Sequence, residues 1–513
     1  MTNTGSKFNK SKYIVDNIDR AISEGWIEAY FQPIVRTSNG RVCAEEALVR
    51  WEDPLLGMLN PMDFVPALEA VNQVHRLDLY VLEKTLDKMN EQRNRNLYLV
   101  PTAINISQTD FYTCDIVEEV ASRVEAANIS KHMIAIGISE GAISIGNDFI
   151  ISQLEQFQDL GFQVWMDDFG SGDSAPALLQ IFRFDLLKIN MFFVNQISTS
   201  KSARIILTEL VRMAMSLGIE TVAEGVEFKE QVDFLQEIGC TKLQGFYYCK
   251  PIPISRVFER YEKGDAIGFE NPEETDYYAA VGKINLYDLS FTRDKNESFD
   301  DYFDTLPMVI IETKEDGFAI LRGNKSFKKF MQINIGTDEM DVTYSYDFGV
   351  QKVGVYTFNS IRKCAKSGKR LIIDDRLKNG KTVQFLIQRI AVNSKKKIAA
   401  VAVVILSIAE NQGITDNLTY NYVARALSED YLYLYFVNMD TEKFVEYSPD
   451  GVNRDISVAN NGDDFFKSFV KDIKKRIYPD DQEMFLSSFT KKNILKELEK
   501  NGTFSIAYRL MID

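Results

Sequence analysis

The chain has 513 residues, 45% of them hydrophobic and 26% charged, the balance of ordinary globular protein rather than of a disordered or fibrous one. That length sets a prior of two to four domains, each able to bury a core. A formal net charge of −15 argues against a broad nucleic-acid-binding face, which needs clustered Lys and Arg, so duplex nucleic acid is not an expected partner.

The first twelve residues are polar with no apolar centre, so no secretory leader is expected. From about residue 28 to 250, short apolar runs alternate with helical patterns. Strands are expected at 30–36, 42–51, 98–106, 133–138, 163–167, 186–189, 220–223 and 242–244. Helices are expected at 61–70, 77–93, 114–127, 148–160, 203–217 and 229–238. Strands alternating with helices imply βαβ units and a parallel sheet, and eight strands in about 250 residues fit an α/β fold of the TIM type, a closed (β/α)8 barrel, over residues 10–262. A doubly wound open sheet is the alternative, but no Gly-rich phosphate loop follows the first strand.

Residues 263–300 are charged and weakly periodic, which reads as a linker or connecting helix. Beyond them β-branched strands dominate at 308–313, 318–322, 382–393 and 398–408, with a helix at 324–331. Lys395, Lys396 and Lys397 precede the longest apolar run, which is about half the length a bilayer span requires. A buried strand after a basic turn is therefore expected, with no membrane span. Residues 301–411, with Asp316-Gly317 and Asn324-Lys325-Ser326-Phe327, resemble a PAS domain, an α+β module. Residues 418–513 repeat the theme as a second PAS-like module that is possibly incomplete.

Only two histidines, His75 and His132, are present, too few for a His-rich zinc site or a Ser-His-Asp triad. Five cysteines, with no CxxC pair, suit reduced thiols in a cytoplasmic protein. Metal chemistry here must rest on oxygen ligands, which favours Mg2+ or Mn2+.

Polar residues stand at the ends of the expected barrel strands: Glu46, Asn105, Asp167, Asp168, Lys188, Glu224 and Gln244. In such barrels the C-terminal face of the strands is where sites are built. Four carboxylates, two amides and a lysine on one rim call for cations, and two hard divalent ions bridged by a shared carboxylate would clamp a phosphodiester.

The segments FQPI (31–34), EALVR (46–50), PxxFVP (61–66), NIS (105–107), DDFGSG (167–172), LKI (187–189), AEGVE (223–227) and QGF (244–246) resemble, in order over about 250 residues, the EAL family. Members of that family hydrolyse cyclic di-GMP to linear pGpG with Mg2+ or Mn2+. The resemblance implies metal ligation by Glu46, Asn105, Asp167, Asp168 and Glu224, with Asp167 shared. It assigns the positioning of the attacking water to Lys188 and Gln244, with Asp168 and Glu224 also in the catalytic set. Gln32, Leu48 and Arg50 would contact the nucleotide, while Glu140 and Glu227 would support the loops. A homodimer is the expected assembly.

One departure stands out. Where the family has a metal-binding Glu in "LEITE", this chain reads Ile136-Gly137-Ile138-Ser139-Glu140, and glycine offers no ligand. The first metal is left with three protein ligands, so its affinity should fall, as should hydrolysis. Asn190 replaces an aspartate after the lysine, and Asp173 and Ala175 depart from the family loop. The expectation is a barrel that binds cyclic di-GMP and hydrolyses it weakly or not at all. A working phosphodiesterase and a barrel kept only for protein interaction are the alternatives.

Overall fold

The computed structural model describes residues 9–143, 148–170, 175–287, 306–315, 317–334, 336, 343–345, 355–377, 381–409, 434–449, 456–473, 476–501, 504–509 and 511. Contacts divide the chain into two compact units, residues 1–372 with 386–404 and residues 373–385 with 405–513. The loop substitution at Asp173 and residue Asp316 lie outside the described residues.

In the first unit, β4 (Thr102–Asn105), β5 (Ile134–Ser139), β7 (Leu186–Ile189) and β8 (Glu220–Ala223) are buried on both faces over most of their length. A strand can be apolar on both faces only when helices cover one side and a closed interior fills the other. The sheet closes accordingly. β1 (Ile27–Arg36), β2 (Val42–Asp53), β4, β5, β6 (Gln163–Phe169), β7, β8 and β9 (Lys242–Leu243) form an eight-stranded ring, because β1 pairs with both β2 and β9. The short strands β3 (Gly57–Leu59) and β10 (Ile252–Pro253) flank it.

The expectation of eight parallel strands is corrected at β1, which runs antiparallel to both neighbours. The reason is covalent. Only residues 37–41 join β1 to β2, and parallel pairing needs a crossover of about a dozen residues or more. Asn39-Gly40, with Gly40 at φ 65°, is hairpin chemistry. This reversal brings the beginning of β1, rather than its end, to the rim where the other strands end.

Helices cover the outside: α1 (Lys10–Ser23), α2 (Pro61–Glu69), α3 (Val74–Asn94), α5 (Ile116–Ala126), α6 (Asp148–Asp159), α9 (Lys201–Ser216) and α10 (Lys229–Glu237) among them. Three are short: α4 (Asp110–Thr113), α7 (Ala175–Ile181) and α8 (Met191–Val194). Asn9, Asp115 and Ser200 cap α1, α5 and α9 with side-chain oxygens, satisfying amides that helix geometry orphans. Inside the ring Ile34, Ala44, Ala103, Ala135, Trp165 and Val222 pack together, alternating small and large side chains as a tapered interior requires. At the end opposite that rim, Arg36 meets Glu270 at 2.6 Å and Lys242 meets Glu220 at 2.7 Å. Burial raises the Glu220 carboxyl, but Lys242 and Arg36 overcome it and hold its pKa at about 2.

Glu270 comes from the segment expected to be a linker, and its described part is packed structure. Phe269 bridges to Val42, and α11 (Ile254–Lys263) and α12 (Thr275–Gly282) follow the barrel. A sheet in the order β13 (Thr343–Ser345), β12 (Gly317–Gly323), β11 (Met308–Thr313), β16 (Ile398–Ala409) lies beyond, antiparallel throughout. Strands β14 (Leu371–Arg376) and β15 (Thr382–Asn393) and helices α13 (Lys325–Asn334) and α14 (Val355–Ser367) accompany it. Arg322 of β12 is buried and aims its guanidinium at the barrel's outer layer. Nη1 donates to Gln236 O at the end of α10, and Nη2 donates to Val281 O and to Ile284 O at 2.9 Å. Asn324 donates to Leu286 O at 3.1 Å.

The second unit holds an antiparallel sheet of β17 (Leu434–Val437), β18 (Phe444–Pro449) and β19 (Ile456–Gly462). The helix Phe465–Ile473 follows, and Phe465 and Phe469 pack on Phe489 and Tyr435. Residues 504–509 form no strand, although Tyr478 N donates to Arg509 O at 2.9 Å.

Candidate functional site

The candidate side chains gather at one rim of the barrel, most of them at or just beyond strand ends. Glu46 rises from β2, Asn105 ends β4, Asp167 and Asp168 lie near the end of β6, and Lys188 sits in β7. Glu224 follows β8 and Gln244 follows β9. Because β1 is reversed, Gln32 is the cross-strand partner of Glu46, which puts its amide in the same ring.

Lys188 Nζ is the hub. It lies 3.0 Å from Glu46 Oε1, 3.0 Å from Asp167 Oδ2 and 2.7 Å from Glu224 Oε1, and it is 2% exposed. Gln244 Nε2 donates to Glu46 Oε2 at 2.6 Å and to Gln32 Oε1 at 3.0 Å, and Gln32 Nε2 donates to Cys249 O at 3.1 Å. Asn105 Nδ2 donates to Glu46 Oε1 at 3.2 Å. Among the described residues Gln244 Oε1 is buried without a partner, which leaves it available as an acceptor.

One ammonium faces three carboxylates, and the charge states follow. Burial would hold the lysine neutral, but Asp167, Glu224 and Glu46 keep its pKa well above the ordinary range. Burial works against the charge on Glu46, yet Lys188 and the amide donors Gln244 and Asn105 win and its pKa falls. Among the described residues no side-chain amide donates to the other two carboxyls, although Asp168 N donates to Asp167 Oδ1 at 2.8 Å. Burial raises Asp167 despite Lys188, with the charges of Glu46 and Asp168 adding to it. Burial likewise raises Glu224 to about 8, reinforced by Asp167 and Glu46. A single lysine neutralises about one carboxylate, so the rim remains short of positive charge.

Oxygens of Asp167, Asp168 and Glu224 all lie within 4.8 Å of one another, a donor set that suits a hard divalent cation. Asp168 is prepared for this. Its backbone is left-handed (φ 56°), a strain of about 1–3 kcal/mol that tends to be kept at functional sites. Asn190 Nδ2 holds its Oδ1 at 2.7 Å.

The Glu46, Asn105 and Asp167 side is less complete. Gly137 pairs with Asn105 across β4 and β5. A Cβ at 137 would stand 2.6 Å from Asn105 Oδ1, so the amide has leaned into the room that a side chain would use.

Other expected residues are placed less centrally. Leu48 and Arg50 continue the Glu46 face of β2, facing Tyr30 and Glu28 across the pair. Arg50 Nη1 donates to Val49 O at 2.7 Å, and its guanidinium lies 5.8 Å from the Tyr30 ring. Glu140 is buried, and its Oε2 accepts from Gly170 N at 2.9 Å, tying the end of β5 to the turn after the aspartates. Glu227 is exposed; Gln231 Oε1 accepts from its backbone N–H, and the described residues give its carboxylate no loop contact.

Sequence reasoning missed an acidic group beneath the NIS motif. Ser107 N donates to Asp110 Oδ2 at 3.1 Å, and Ser107 Oγ donates to Glu69 Oε1 at 2.5 Å. Burial and the Asp110 charge raise Asp78 well above a normal aspartate. Asp110, five residues beyond Asn105, was the visible signal.

Residues 15–251 match the EAL domain family. The oxygen sensor protein DosP of Escherichia coli (strain K12) is 28% identical over 240 residues, 47% of this chain and 30% of that protein. The cyclic di-GMP phosphodiesterase NbdA of Pseudomonas aeruginosa is 30% identical over 244 residues, 48% of this chain and 31% of that one. The chain thus spans about a third of the length of these curated relatives. A solved structure, PaMucR phosphodiesterase in complex with c-di-GMP, is 27% identical, covering 48% of this chain and 99% of that one with a TM-score of 0.45.

Proposed function

Residues 15–251 are an EAL domain, and from that premise we propose that the barrel binds cyclic di-GMP and hydrolyses it to pGpG weakly or not at all. The observation that carries this reading is the uneven ring. Oxygens of Asp167, Asp168 and Glu224 lie close enough together to hold a cation, while Gly137 offers no side-chain ligand beside Asn105, whose Oδ1 stands 2.6 Å from where a Cβ would be. A divalent cation held by the converging trio would polarise a phosphodiester and lower the pKa of bound water.

The chain's own residues would do the rest. Lys188, locked among three carboxylates, supplies fixed positive charge next to the phosphate and spends no reorganisation during reaction. Gln244 Oε1, buried and without a partner among the described residues, would accept a hydrogen bond from the attacking water. Arg50, with one nitrogen on Val49 O, keeps other donors for a phosphate or guanine edge. Gln32 and Leu48 would complete the nucleotide's contacts. The sheets beyond residue 306 would act as PAS-like modules that relay a signal, in a cytoplasmic homodimer.

A second reading, a working phosphodiesterase, is favoured by the same trio if water fills the vertex at Gly137. Incubation with cyclic di-GMP and Mg2+ or Mn2+, chromatography for pGpG and binding in Ca2+ separate the two. Saturable binding without turnover is expected. Robust turnover that Asp167→Asn abolishes would establish the second reading, and no binding would leave an interaction-only barrel.

A further inference from the structure

We propose that a basic cleft in the sheet module binds a nucleotide-sized polyanion, such as a nucleoside diphosphate, independently of the barrel. The cleft has a volume of about 560 Å³, within the range of small-molecule sites and larger than a free phosphate requires. Three segments build it: the β11–β12 turn, the second half of α14, and the β15–β16 hairpin. Among the described residues its walls carry Lys314, Arg362, Lys366, Arg389 and Lys397 against one carboxylate, Glu315. In a chain of net charge −15, five cations to one acid is a local reversal of sign. Such a concentration focuses an attractive field on an anion.

The cations are held in place to different degrees. Arg389 is half-buried, and its Nη1 donates to Ala365 O at 3.0 Å and Lys366 O at 3.3 Å in the last turn of α14. It therefore neutralises that helix end, which would otherwise repel an anion. Gly368, at φ 73°, lies against the same guanidinium, and a side chain there would collide with Nη2. Held in this way, Arg389 lines the cleft with a planar guanidinium suited to phosphate oxygens.

Of the basic turn, Lys395 and Lys396 are tied to Glu273 and Glu274. Lys397, left-handed at φ 54°, turns the other way and lines the cleft, 3.4 Å from Glu315. The rest of the lining is largely apolar: Ala365, Val392, Ile398 and Ala399, with Thr313 and Ser394. An apolar lining beside the cations suits a planar ring carrying phosphates better than it suits a bare inorganic anion.

The test is calorimetric titration of the full chain with GDP, ADP and inorganic phosphate in EDTA, run in parallel in an Arg50→Ala background so that binding at the barrel is recognised by its loss. Nucleoside diphosphate should bind saturably, weaken as salt rises, and lose at least tenfold in affinity in Arg389→Gln and in the double variant Lys366→Ala/Lys397→Ala. The double variant changes only exposed side chains and so guards against a folding defect in the first. Two results would overturn the proposal: no saturable nucleotide binding, or binding that both variants leave unchanged. Phosphate binding as tightly as GDP would overturn the assignment of a ring site.

Discussion

Replacing Gly137 with glutamate, alongside Gly137→Ala as its steric control, tests whether this position is the empty vertex of a metal site. A Cβ at 137 would stand 2.6 Å from Asn105 Oδ1 and 3.3 Å from Ile104 O, so the Asn105 amide must swing away in both variants. It then gives up its 3.2 Å bond to Glu46, and a hydrogen bond to a charged group contributes about 1.5–3 kcal/mol. Losing glycine from a strand returns about 0.5–1 kcal/mol, so Gly137→Ala should cost the metal-free protein about 1–2 kcal/mol. Glutamate adds a further carboxylate to a rim already short of cations. Two like charges about 4 Å apart repel by about 4 kcal/mol at an effective dielectric of about 20, a penalty that proton uptake would reduce. In EDTA, Gly137→Glu should therefore be the least stable of the three in urea unfolding. With Mn2+ the order should reverse, because the added carboxylate becomes a ligand, and titration should show at least tenfold tighter binding, about 1.4 kcal/mol. If Gly137→Glu binds Mn2+ no more tightly than Gly137→Ala, position 137 is not a metal vertex and the explanation for weak hydrolysis fails.

Lys188→Met strands the carboxylates that the lysine now bridges, and breaking a buried pair from one side costs about 3–5 kcal/mol. Urea unfolding should show that loss in EDTA and recover most of it with Mn2+; a variant as stable as wild type in EDTA would show that the lysine is not the internal counter-ion. Glu220→Gln tests the opposite end of the barrel. With its pKa depressed to about 2, the native carboxylate contributes stability above its unfolded value near 4.5, and that stability is lost as pH falls through 2. The shift corresponds to about 3 kcal/mol, so the variant should be less stable at pH 7 and lack that acid slope; parallel stability curves for the two proteins from pH 7 to 2 would sink the argument. Asp78 has the reverse sign. Its raised pKa means stability that is present below the unfolded value is lost as pH rises through the folded one. Asp78→Asn should therefore raise the thermal midpoint at pH 7.5 and not at pH 4, and a midpoint that drops at pH 7.5 would count against it.

The rim was legible in the sequence because its residues sit in short motifs at strand ends. β7 and β8 occupy the expected residues, 186–189 and 220–223, since both are brief apolar runs with clear breaks. The long strand expected at 98–106 contracts to Thr102–Asn105, because an apolar run does not say where ladder bonds begin. The reversal of β1 was overlooked although Asn39-Gly40 announces a hairpin; treating the repeat as uniformly βαβ hid it. The helix α1 preceded the repeat and was not anticipated, despite its buried Ile14, Ile18 and Ala21 at helical spacing. Other features were not legible at all. The central position of Lys188 and the Arg36–Glu270 pair, 234 residues apart, come from closure of the chain in space, which local pattern does not encode. The lean of Asn105 toward Gly137 is likewise a response to packing.

The guanidinium of Arg322 carries a consequence for dissection of the molecule. Burial brings its pKa down to about 10, so it remains a cation at any working pH, and its donors end on carbonyls of residues 236, 281 and 284. A truncation at residue 262 would remove two of those carbonyls together with the arginine, and with them Glu270, the buried counter-ion of Arg36. The excised barrel would then leave Arg36 with the longer 3.8 Å contact to Glu220 in place of its 2.6 Å partner, so a melting curve of that fragment would report the cut as much as the fold. Calorimetry on the intact first unit should instead give one transition, with barrel and neighbouring sheet coming apart together.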